Sequence, residues 1–326
     1  MAKLLTITDP DTHVAYYRRN RKDLYTKTIS RENLQAAFVS WDKFEDYISA
    51  ITTSLYSGNY IDEFKLTKAL IDGAYDNNKV IVETITDVTD EASAKAFVKK
   101  ARAVFNKMKF PSTEYNAYSK FSGAKGKITT WTDEDRIVLI TTADVMAEVD
   151  VEVLSRAFNI DSTKFLGRVI EVDKFDNPEI KAIICDEAWF QIYENVMRFD
   201  EFYNARVMAW NEYLHIWQTY AICPFANSVI LATKQPNPAT EIAFSPNNVN
   251  VGLSTDNAGK NVTLTITPSE TTTDIEYYTS NDSLFTVTKV DNSTVKVIPV
   301  TEGEGTLTAK SDNGLTSTAT VTVTNS

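Results

Sequence analysis

The sequence predicts an α+β body followed by an all-β tail, and three observations carry that expectation. Apolar residues recur three or four apart through Trp41, Phe44, Ile48, Ile51 and Leu55, then through Tyr60, Ile61, Phe64, Leu70, Ile71 and Tyr75, the stripe of a long amphipathic helix. Over residues 79–194, β-branched runs alternate with helical ones, the pattern of an α/β unit around a central sheet. Past Gln235-Pro236-Asn237-Pro238 the chain turns to Thr, Val and Ser in short alternating runs.

The helical stretch organises the rest. Ser40 is the expected N-cap, although Lys43 stands where a capping box wants Glu. Ser57-Gly58-Asn59 reads as a break in the helix. As one rod, residues 41–75 extend roughly 50 Å at 1.5 Å per residue, a spine along which other elements can lie. Ahead of it, residues 13–31 set Arg18, Arg19, Arg21, Lys22, Lys27 and Arg31 among tyrosines. Such a run could grip single-stranded nucleic acid; the plainer expectation is an extended arm whose charges meet acidic neighbours or solvent. A short helical turn is expected at Ser30-Arg31-Glu32-Asn33-Leu34.

Beyond the spine, Lys79–Thr86 reads as a strand, and Thr89 as the cap of a helix running to about Lys109. Phe97, Ala101, Val104, Phe105 and Met108 form its inner face; Lys95, Lys99, Lys100, Arg102, Lys107 and Lys109 make the outer face basic and solvated. Residues 110–130 are loop-like, and Gly123-Ala124-Lys125-Gly126-Lys127 lacks the spacing of a phosphate loop. Further strands are expected at Arg136–Thr142, Phe165–Val172 and Ile180–Cys185, with helical turns over Ala143–Phe158. From Trp210 to Tyr220 aromatics fall at every second or third place, which suits long strands packed on a helix. Gln235–Thr240 is a proline linker. Seven alternating runs follow, starting at Ile242, Val262, Ile275, Phe285, Val295, Gly305 and Ala319, as in a small antiparallel β-sandwich.

Composition excludes several function classes. The chain has 326 residues and 43% hydrophobic content, enough for about two domains with real cores. Its net charge is −11, against bulk binding of nucleic acid. Four lysines against ten acidic residues leave the segment from Pro236 onward at −6, and it contains no Trp, Arg or Cys. Cys185 and Cys223 sit in apolar stretches as buried thiols, and with only His13 and His215 beside them no zinc set arises. Nothing approaches the ~18 apolar residues of a membrane span. The start lacks a signal-peptide pattern, so the expected place of synthesis is a cytoplasm. Asp144, Glu148, Asp150 and Glu152 could serve acid–base chemistry or hold a divalent ion, but no glycine-turned Asp loop accompanies them, and a structural role is expected. His215 has no acidic or cysteine partner at catalytic spacing and reads as a core or interface histidine. No residue is assigned a catalytic, cofactor-binding or metal role.

Two resemblances sharpen this. Ile242 to Ser245-Pro246, Leu264-Thr265-Ile266-Thr267-Pro268, Tyr278-Thr279-Ser280-Asn281-Asp282 and Gly303 through Gly314 resemble the bacterial immunoglobulin-like group 2 (BIG2) domain, with Tyr278 near the place of a common Trp. Arg19-Asn20-Arg21 to Tyr25, Ala37 to Trp41, Ala147 to Val151, Ala157-Phe158-Asn159, Phe165-Leu166-Gly167, Trp210 to Thr219 and Phe225-Ala226-Asn227 keep an order that resembles the major capsid proteins of phi29-type small podophages. That family's N-terminal arm and extended loop look shortened here.

The resemblance implies an HK97-like capsid fold. Residues 1–32 would be a residual arm and loop segment, 33–78 and 195–235 a peripheral domain with the spine helix, and 79–194 an axial domain. Residues 236–240 would link these to an immunoglobulin-like domain at 241–326. It implies a structural protein without enzymatic activity or cofactor. Its partners would be copies of itself in hexameric and pentameric capsomers, a scaffolding protein, a portal and the packaged double-stranded DNA, with no membrane. The alternative is a bacterial surface adhesin carrying an immunoglobulin-like module, disfavoured by the lack of a signal peptide or tandem modules.

Overall fold

The computed structural model describes residues 12–37, 41–121, 123–149 and 169–325. In chain order the body runs β1 (Arg21–Ser30), α1 (Arg31–Ala37), α2 (Trp41–Asp76), β2 (Ile81–Thr84), α3 (Glu91–Met108), β3 (Ile137–Thr142) and α4 (Ala143–Glu148). It continues with β4 (Val169–Val172), β5 (Ile180–Asp186), β6 (Phe190–Asn204), β7 (Ala209–Ile222) and β8 (Ser228–Ala232). The tail adds β9 (Glu241–Phe244), β10 (Asn248–Gly252), β11 (Lys260–Thr267) and β12 (Ile275–Thr279). Last come β13 (Phe285–Lys289), β14 (Thr294–Pro299), β15 (Gly303–Ser311) and β16 (Thr316–Thr324). Contacts divide the chain into two compact units: residues up to Leu70 with Glu187–Ala226, and Ile71–Asp186 with residues from Asn227 onward.

The first unit holds an antiparallel sheet in the order β1-β7-β6. Leu55 of α2 is buried with Leu214 and Ile216 of β7, and Tyr25 and Tyr56 pack on this cluster. The helix is continuous through Ser57-Gly58-Asn59, correcting the expected break. The glycine has a packing reason instead: a Cβ at Gly58 would lie 3.2 Å from Cδ1 of Tyr25, so its absence lets the strand ring rest on the helix. Tyr60, Ile61 and Phe64, expected on the inner stripe, are exposed. At that level the helix turns a polar face inward instead, with Asn59 buried and Asp62 and Glu63 half-buried. Side chains at Trp41 and Phe44, and the expected cap Ser40, lie outside the described residues.

In the second unit the central sheet runs β2-β8-β5-β3-β4. β2/β8 and β3/β4 are parallel, while β3/β5 and β5/β8 are antiparallel. β8 is buried at all five positions, so Ser228–Ala232 belongs to this sheet and not with the aromatic strands as expected. α3 covers the sheet with Ala94, Phe97, Val98, Ala101, Val104, Phe105 and Met108, the anticipated inner face plus Ala94 and Val98. Its cap is Asp90 rather than Thr89. The Asp90 carboxylate accepts from the Ser93 N–H at 2.7 Å, and the Ser93 Oγ accepts from the Asp90 N–H at 3.0 Å, which closes a capping box. α2 ends where Asn78 takes φ +52°, and the Lys79 N–H returns to the Ala74 carbonyl at 2.7 Å.

The tail forms two four-stranded sheets, β10-β16-β15-β12 and β13-β14-β11-β9. Eight strands replace the seven expected. The addition, β10, runs parallel to β16, so the arrangement is not wholly antiparallel. Ile242, Phe244, Val251, Leu264, Ile275, Phe285, Val297, Leu307 and Val321 belong to one core between the sheets. No helix among the described residues is long and apolar enough to cross a membrane.

Candidate functional site

The residues flagged for chemistry do not assemble into a reactive centre. Asp144 and Glu148 are exposed on α4, and Asp150 and Glu152 lie outside the described residues. Among the described residues no group of three or more His, Cys, Asp and Glu is placed to hold a metal ion. Cys185 is buried and Cys223 half-buried, both as free thiols. His215 has a carboxylate neighbour that spacing did not reveal. Asp200 lies on the adjacent strand with Oδ2 3.8 Å from Nε2, because β6 and β7 pair in a register that brings distant residues side by side. On α3, Lys95, Lys100 and Lys109 pair with Glu91, Glu83 and Glu134, as a solvated face does.

What the first unit builds instead is a stiff sheet with an unfinished side. Part of the basic arm is consumed internally. Arg21 is buried; its Nε donates to Asp23 at 2.6 Å, Nη1 to the Gln218 Oε1 at 2.5 Å and Nη2 to the Tyr25 hydroxyl at 2.8 Å. The Tyr25 hydroxyl donates to Asp62 at 2.5 Å, and Gln218 and Asn59 both donate to Glu63. Burial, helped by Asp62, pushes the Tyr25 phenol up to about 12, so it stays a donor. This network ties β1 and β7 to α2. Arg19 and Lys22 stand 4.5 and 5.0 Å from the Trp217 ring centroid, cation–π contacts that account for two more of the arm's charges.

β6 is the opposite case. It lies at the sheet edge and exposes Ile192, Tyr193, Met197, Phe199, Phe202 and Tyr203, with Val207 and Met208 exposed in the turn toward β7. Phe202 is 60% exposed, an unusual state for a large aromatic on a strand. Exposed Glu194, Arg198 and Glu201 interrupt this apolar edge, the kind of feature proteins blunt with charge, proline or a cover. Periodicity could not reveal it, because the same alternation fits a strand with its apolar face buried.

The fold has a counterpart among phage capsid structures. It is similar to the capsid structure of Staphylococcus phage Andhra, with a TM-score of 0.54 and 15% identity over 66% of this chain and 70% of that one. Residues 2–232 match the model of the Phi29-like phage major capsid protein, and the chain belongs to that family. It is 35% identical to the major capsid protein of Bacillus phage B103 over 73% of this chain and 52% of the relative. It is 32% identical to that of Bacillus phage GA-1 over 84% of this chain and 58% of the relative. The chain thus spans about half the length of these relatives.

Proposed function

We propose that this chain is a capsid subunit that assembles with copies of itself, in hexameric and pentameric capsomers, into the head shell around a phage's double-stranded DNA. The observation that carries the reading is the exposed apolar edge of β6. In a protein whose family is named for the capsid, the most economical cover for that edge is a neighbouring subunit. The body is an HK97-like fold, with α2 up to Leu70 and Glu187–Ala226 peripheral, and the central sheet, β8 included, axial. The tail from residue 241 is an immunoglobulin-like domain of the BIG2 kind. Its two four-stranded sheets around one apolar core support that assignment. A scaffolding protein and a portal complete the partners, and the virion shell is the place of action. With a net charge of −11, the inner wall would hold DNA without sequence-specific grip.

The test is sedimentation velocity and electron microscopy of the full chain, alone and with a scaffolding partner. Wild type should form capsomer rings or shells. The double substitution Phe199→Asp with Phe202→Asp should leave smaller species at unchanged melting temperature, since both side chains are exposed. Monodisperse wild-type monomer under every condition defeats the reading.

A further inference from the structure

The last turn of α2 carries Asp72 and Asp76 and no basic residue, at the end of a helix where the backbone dipole is already negative. Asp72 is buried and accepts the backbone N–H groups of Asp176 and Asn177 at 3.2 and 3.1 Å. Asp76 accepts the Asn177 side-chain amide at 2.8 Å. The sandwich meets this helix end directly: the Thr272 hydroxyl donates to the Asp76 backbone carbonyl at 2.9 Å. The same side of the sandwich supplies Asp274 and Asp312, joined by a 3.1 Å bond from the Asp312 N–H to the Asp274 carbonyl. Both act electrostatically on Asp76.

We propose that this seam between the C-terminal sandwich and the end of α2 is a proton-sensitive joint, which closes in acid and loosens toward neutral pH.

The charge balance around it supports the direction. Facing the seam from the body are Asp72, Asp76 and Glu179; facing it from the sandwich are Asp274, Glu276 and Asp312. Against these six carboxylates stand two lysines, each already paired: Lys289 with Asp274 at 2.5 Å and Lys234 with Glu179 at 2.6 Å. Burial, with the charges of Asp72, Asp312 and Asp274, lifts the Asp76 carboxyl from 3.8 to about 6, and the Asn177 amide only partly opposes this. Asp312 is raised too, by burial and then by Asp274 and Glu276. A carboxyl whose affinity for a proton is higher in the docked state takes one up on docking. Docking therefore strengthens as pH falls through 6, and the gain levels off below the ordinary carboxylate range, where both states are protonated.

The experiment is a distance measurement between spin labels at Glu91→Cys and Glu302→Cys, both exposed positions. It uses the full chain in a Cys223→Ser background, diluted with unlabelled chain. The ratio of docked to undocked distances should rise about 20-fold from pH 7.5 to 4.5, with the rise setting in near pH 6. Asp76→Asn should give the docked distance at every pH. Thr272→Val should weaken docking equally at all pH values and leave the slope. Should Asp76→Asn fail to fold, Asp312→Asn on the exposed rim should cut the response. A distance distribution indifferent to pH overturns the proposal, as does an Asp76 or Asp312 variant that keeps the full response.

Discussion

β6 and β11 are both long strands, yet they place their apolar residues in opposite ways. Along β11, Val262, Leu264 and Ile266 point into the tail core, and Asn261, Thr263 and Thr265 face outward. Along β6, Tyr193, Met197, Phe199 and Phe202 stay exposed, with the Tyr17 ring tilted against Tyr193 at 6.3 Å. The sandwich satisfies its own hydrophobic demand within the chain. The edge of the aromatic sheet does not. One polypeptide thus combines a module with its own apolar core and a sheet that leaves apolar side chains exposed.

The comparison can be broken most forcefully inside the sandwich. Phe285 is fully buried, and Phe285→Ala should cost about 3–5 kcal/mol of the sandwich's stability. Denaturant titration should show the tail transition moving early while the body transition holds; a joint collapse would deny the tail its independence. In the first unit, Arg21→Met removes a buried cation that ties β1 to β7 and α2. With Asp23 and Glu63 left in place, a loss of about 2–3 kcal/mol is expected in the body transition alone. Gly58→Val drives a branched side chain into the Tyr25 ring and should cost about 1–3 kcal/mol, again confined to the body.

The smallest effect has the opposite sign. Glu212 is buried between Lys27 and Glu201 in the register, and its Oε2 has no hydrogen-bond partner among the described residues. Burial, then Glu201, raises its carboxyl above the usual range. The folded state therefore holds the proton more tightly, so stability is highest in acid and falls as pH climbs past the unfolded carboxylate value. Glu212→Gln should accordingly raise the body's melting temperature slightly at pH 7 and have no effect near pH 4. A gain that persists in acid would point to packing and not to charge.

Much of the fold was legible in residue order. The helical spacing from Trp41 to Tyr75 anticipated α2, and the inner face of α3 was read position by position, because burial repeats with the element's own period. Six of the central-sheet and body elements followed from β-branched runs or caps in the same way, although Asp90 displaced Thr89 as the cap once the Ser93 side chain was seen to reach back. Asn248-Val249-Asn250-Val251 alternates as clearly as its neighbours, yet β10 is the one tail strand outside the expected seven. The edge of β6, the pairing of Asp200 with His215 and the carboxylates at the end of α2 were invisible, since each joins residues far apart in the chain.

Sequence by itself located α2, α3 and most strands of the central sheet and tail, showed where the Thr-rich tail begins and, through the order of its motifs, pointed to capsid proteins. Tertiary structure alone decided which apolar faces found partners: it sent Tyr60, Ile61 and Phe64 outward while a polar network took the inner face, and left β6 at an open edge. The reason is that periodicity records only that a face is apolar. What covers that face depends on strand order and register, which are set by contacts across the whole fold.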